Sequence, residues 1–117
     1  MSIRRIAVLI CLLALVSSVS LAADSRSYQR TIEPVWDEAV KAARDADLEV
    51  TDSSRAKHWF TMKTKGSTFS RSIHFEVELS QSGEVTTVTV SESDHKGSKK
   101  SRNVIARYFA ALHDRMN

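Results

Sequence analysis

Side chains able to bind a cation or move a proton gather at one place in this sequence, where His74, Glu76 and Glu78 alternate along a single stretch. In a strand, alternate residues share a face at roughly 6.5–7 Å spacing, so these three point the same way and could share a cation. The competing reading is that both acids pair across strands with Lys57, Lys63 or Lys65. The remaining histidines, at 58, 95 and 113, lack the close spacing of a helical or loop metal site. Neither a metal nor any other cofactor is expected. None of the serines sits in a nucleophile elbow, and the three glycines are isolated, so phosphate-loop and dinucleotide fingerprints are both missing. No two carboxylates stand out as a general acid and base. The chain reads as non-enzymatic, with no catalytic residue to name.

The compartment is read from the first residues. Two arginines precede an apolar run of 11 residues at 6–16, and Ser20-Leu21-Ala22 supplies small side chains ahead of a cut. These are the parts of a secretory signal peptide, expected to be removed after Ala22. A membrane-spanning helix needs about 20 apolar residues, and serines 17, 18 and 20 interrupt this one. The expectation is an exported protein, periplasmic or secreted, with a leader at 1–22, one domain at 23–117 and no span after cleavage. Losing the leader with its two arginines leaves 95 of 117 residues and 15 basic against 14 acidic side chains, a balance of +1. Cys11, the only cysteine, lies within the apolar run. The mature domain therefore has no disulfide, thiol nucleophile or cysteine-ligated metal, and must be stabilised by burial. Val8-Leu9-Ile10 also lacks the small residue that precedes a lipidated cysteine.

Elements that position the polar residues follow from periodicity. Ile73, Phe75, Val77 and Leu79 alternate with His74, Glu76, Glu78 and Ser80, a half-buried strand. After a turn at Gly83, β-branched residues at 85–90 read as its hairpin partner. Residues 57–65 alternate too, with Phe60 and Met62 toward the core and Trp59, Thr61 and Lys63 outward. Leu48-Glu49-Val50-Thr51 reads as a short edge strand, and residues 24–30 as a polar, extended lead-in. Ile32, Val35, Trp36, Ala39, Val40, Ala43 and Ala46 form the stripe of one amphipathic helix, begun by Glu33-Pro34. Trp36 is expected to be its largest core residue, ligand stacking being the alternative. Val104, Ile105, Tyr108, Phe109, Leu112 and Met116 form the stripe of a second helix from Ser101. The order α-β-β-β-β-α predicts an α+β two-layer sandwich, a four-stranded antiparallel sheet with both helices on one face.

Charge is uneven along the chain. Residues 24–52 hold eight acids and four bases, whereas Lys96, Lys99, Lys100, Arg102 and Arg107 follow one another with no acid between them. Lysines at a helix start oppose the helix dipole, so an anionic partner would compensate them; a solvated loop is the competing reading. Export, near neutrality and a single outward aromatic argue against nucleic acid.

The run Ile32-Glu33-Pro34-Val35-Trp36-Asp37-Glu38-Ala39-Val40-Lys41-Ala42-Ala43, followed by Leu48-Glu49-Val50, Trp59-Phe60-Thr61-Met62 and the alternating hairpin, resembles small bacterial cell-envelope domains such as the C-terminal modules of the lipoprotein BamC. The resemblance implies a module that acts through interaction and carries no catalytic residues. Unlike that group, this chain lacks a lipidated cysteine. The expected function is therefore a binding or accessory module contacting an envelope protein or an anionic envelope surface. Its candidate surface comprises Trp59, Lys63 and His74 on the outer sheet face and Lys96, Lys99, Lys100 and Arg102 around the basic loop. A small-ligand or metal carrier is the alternative, and a small hydrolase the third reading. Oligomeric state stays open, including whether a sheet edge pairs two copies.

Overall fold

The computed structural model describes residues 23–66, 71–93 and 98–117. The expected leader at 1–22, with Cys11, and the candidate residue Lys96 lie outside the described residues. The elements are β1 (Ala23–Tyr28), α1 (Ile32–Asp45), β2 (Leu48–Ser54), β3 (Trp59–Thr64), β4 (His74–Ser82), β5 (Val85–Glu92) and α2 (Lys99–Met116). One antiparallel sheet of five strands has the order β1-β5-β4-β3-β2. The α+β class is as expected; the strand count is not. Residues 23–28 form an edge strand instead of a lead-in, because Ser25 and Ser27 pair their hydroxyls with Thr89 and Thr87 at 2.9 Å each on the uncovered face. Hydrogen bonds and the packing of Tyr28 against the core hold this strand.

The helix α1 starts after Thr31, with Glu33 in its first turn, and stops where Asp47 enters the left-handed region at φ 62°. Its amide there donates to the Arg44 carbonyl at 3.0 Å, a closing turn for the helix. The stripe it buries is small: Val35, Ala39, Ala42 and Ala43 are fully enclosed, with Trp36 beside them. Small side chains let α2 come close. Tyr108, fully buried, reaches across and donates its hydroxyl to the Ala39 carbonyl at 2.8 Å. Burial pushes that phenol far above its ordinary range, so it stays a donor.

Each residue of the second expected stripe is buried, and α2 begins slightly earlier than expected, at Lys99. Beneath the helices, Phe60, Met62, Phe75, Val77, Val88 and Val90 have no exposed surface and complete one hydrophobic core. Thr86, also fully buried, satisfies its hydroxyl on the Arg30 carbonyl at 2.7 Å.

His58 sits in the left-handed region at φ 57° immediately before β3. Its ring meets Trp36 edge-on at 6.0 Å, and Trp36 meets Phe60 at 5.7 Å. The neighbouring Arg55 clasps Glu33 at 2.8 Å and Asp37 at 3.1 Å. These pairs lie where the β2–β3 turn meets α1, while burial of Phe60 and Met62 decides which residues of β3 point inward. Phe60→Ala should cost about 3–5 kcal/mol, whereas Trp59→Ala, on the opposite face, should cost roughly 1 kcal/mol. Urea unfolding of the two variants checks the difference; equal losses would reverse the assignment of faces.

Candidate functional site

No described residue forms a covering layer over one side of the sheet, and cross-strand register decides what that side displays. On β3 and β4, Trp59 lies opposite Glu78, Thr61 opposite Glu76, and Lys63 opposite His74. On the other flank of β4, Ser91 faces Glu76 and Thr89 faces Glu78. Strand alternation thus places Trp59, Glu78 and Glu76 together in a field of hydroxyls running out to Ser25 and Ser27. Trp59 is half-buried, and Glu76 is partly buried while Glu78 is exposed.

The expected cross-strand pairing of these acids with lysine is not what forms. Lys63 turns to Glu49 on β2 at 3.8 Å, and Lys65 binds Asp47 at 2.9 Å. Glu49 of the edge strand takes one lysine and Asp47, just ahead of that strand, takes the other. Among the described residues, Glu76 and Glu78 are left without a basic partner. Partial burial, first, and the adjoining Glu78 carboxyl, second, push the Glu76 carboxyl above the usual range. Among the described residues nothing basic joins this pair of hydrogen-bonded carboxyls on the face.

The six candidate surface residues within the described set divide into separate groups. Trp59, Lys63 and His74 share the open face, but four residues of strand, about 13 Å, separate Trp59 from Lys63. Lys99, Lys100 and Arg102 are exposed on the first turn of α2, at the end of the sheet where β3 finishes. No acid lies in that turn; instead Ser98 caps it, its hydroxyl accepting from the Ser101 amide at 3.1 Å. Trp59 belongs to the opposite end, so the aromatic and the basic cluster are not one surface. Among the described residues no group of three histidines, cysteines or acids comes together to hold a metal ion, and no helix is long and apolar enough to cross a membrane.

In the sequence Glu76 and Glu78 read as partners of His74 or of nearby lysines, since the competition from Glu49 and Asp47 depends on strand order. A second feature has little signature in residue order. A groove of about 670 Å³ runs between β1 and the second half of α2. Its only sequence signal is the alternation of Asp24, Arg26 and Tyr28 with Ser25 and Ser27.

No protein-family model matches the chain, and no curated protein matches its sequence. Among solved structures it is similar to the solution structure of Chr148 from Cytophaga hutchinsonii, at 12% identity and a TM-score of 0.40, over 81% of this chain and 89% of that one.

A folded-state pKa above the unfolded value means that the native state holds the Glu76 proton more tightly. Stability is then lost as pH rises from the ordinary glutamate value of 4.5 through the raised native one. Glu76→Gln should therefore be more stable than the parent at pH 7, with the gain vanishing below about pH 4. Urea midpoints measured across pH 3–8 test this; a destabilised variant at pH 7 would show that Glu76 has a cationic partner in the fold.

Proposed function

We propose that this protein is an exported, non-catalytic binding module that docks an envelope partner through the open sheet face. The observation that carries this reading is the uncompensated Glu76–Glu78 pair beside Trp59. Two like charges held together cost stability, and a residue arrangement that costs stability persists where binding uses it. A lysine or arginine brought by a partner relieves the repulsion, and the indole supplies a broad surface for that cation or its aliphatic stem. Flatness suits another macromolecule better than a small substrate.

The resemblance to BamC-like envelope modules points the same way, toward interaction without chemistry. A second reading concerns Lys99, Lys100 and Arg102, exposed on a helix turn without an acid, which suit an anionic envelope surface.

Crosslinked envelope extract, captured on the parent protein and on variants, tests the proposal. A partner recovered by the parent should be lost with Trp59→Ala and with Glu76→Gln/Glu78→Gln, and retained with Lys99→Glu/Lys100→Glu. The reverse pattern would move recognition to the basic turn. Zinc titration by calorimetry separates the carrier alternative: heat that disappears in Glu76→Gln would replace the docking reading with a metal site.

A further inference from the structure

The two edges of the sheet are not alike. At β2 the pairing register slips between Val50 and Asp52, a bulge, and the strand exposes Glu49 and Asp52. A bulge and exposed charges are what keep a foreign strand from adding to an edge. At β1 the register is unbroken over all six residues. Among the described residues only β5 pairs with β1, so alternate backbone amides and carbonyls of β1 have no strand partner on its other side; those of Ser25 meet the Asp24 carboxylate and the Arg26 guanidinium at 2.9 Å each.

Beside that edge lies the groove of about 670 Å³. Phe109, Ala110 and Met116 of α2 give it an apolar floor, and Arg26, Arg30 and His113 give it a basic rim. No acid lines it. The Arg26 guanidinium lies over the Phe109 ring at 4.9 Å, while bonding Asp24 at 2.7 Å and the Ser25 carbonyl at 2.9 Å. Half of that side chain remains exposed. A regular edge, an apolar floor and a basic rim whose Arg26 is paired within its own strand to a partly exposed Asp24 together describe a site for one kind of ligand.

We propose that β1 and α2 form a docking groove for an extended, acidic segment of a partner polypeptide, which adds to β1 as a sixth strand. Main-chain hydrogen bonds to the edge supply affinity, and alternate side chains supply selection. Residues of the added strand that face α2 place an apolar side chain on Phe109 and Met116 and carboxylates against Arg26 and Arg30. The intervening residues extend the hydroxyl face begun by Ser25 and Ser27. The recognised pattern is therefore acid-x-apolar-x-acid, with small polar residues at x. This groove is separate from the Glu76–Glu78 patch and selects the opposite charge, so the two proposals stand or fall apart.

A fluorescein-labelled peptide Ser-Glu-Thr-Leu-Thr-Glu-Ser, its Glu-to-Lys counterpart, and a version N-methylated at alternate amides are titrated with the purified protein and read by anisotropy, with amide shifts recorded by NMR. Expected are saturable binding of the acidic peptide, shifts centred on β1 and on Phe109 and Ala110, and at least a tenfold loss for the Lys and N-methylated peptides. Arg26→Gln/Arg30→Gln should weaken binding by at least tenfold and flatten its salt dependence. Ala110→Trp, an exposed position that fills the groove, should abolish binding with an unchanged melting temperature, which guards against a variant that merely unfolds. No saturable binding, shifts on β2, or indifference to both variants would overturn the proposal. So would a concentration-dependent dimer in light scattering that Ser27→Pro dissolves, since the edge would then belong to a second copy.

Discussion

The close approach of the two helices, set by Ala39, Ala42 and Ala43, is the constraint from which the rest of this domain follows. A single hydrophobic layer without cysteine in the described residues must be packed tightly to hold, and three fully buried alanines leave room for Tyr108 to enter between α1 and α2. Its phenol then does two jobs. The ring fills the layer and the hydroxyl ties α2 to the backbone of α1 at Ala39. With both helices drawn onto the same side, the opposite side of the sheet receives no cover from the described residues. The open face is thus a consequence of packing on the closed one.

That consequence explains which parts were legible from residue order. Val77, Val88, Val104 and Tyr108 announce themselves because burial on one side of a strand or helix imposes a period of 2 or 3.6, and the hairpin turn is marked by Gly83 at φ 61°. Edge strand β1 does not, because its contribution is hydroxyl pairing: Ser25 with Thr89 and Ser27 with Thr87 are partners 64 and 60 residues away. Polar alternation over six residues looks the same in a strand and in a solvated tail. The order of strands was similarly hidden, and with it the fate of each charge.

Charge on the open face illustrates how far topology outweighs local sequence. Lys63 lies opposite His74 and next to Glu76 along the sheet, yet it turns to Glu49 because β2 is its other neighbour. Lys65 goes to Asp47, the residue that ends α1. Acids at the edges draw the bases outward and leave the acids at the centre unopposed. Local spacing predicted the carboxylates' direction correctly but not their company. Exposed ion pairs of this kind add little stability, so the arrangement is better understood as distributing charge than as fastening the fold.

β1 joins two surfaces of opposite character. Its serines complete the hydroxyl field around the acidic patch, while Arg26 and Tyr28, one residue out of phase, line the basic groove. The same strand alternation that sorts core from solvent elsewhere here sorts one charge from the other. A strand lengthening the sheet at β1 also widens the open face by one row, since outward side chains continue across the new pairing. Occupancy of the groove by such a strand would therefore change the area available on the face without any movement of the core.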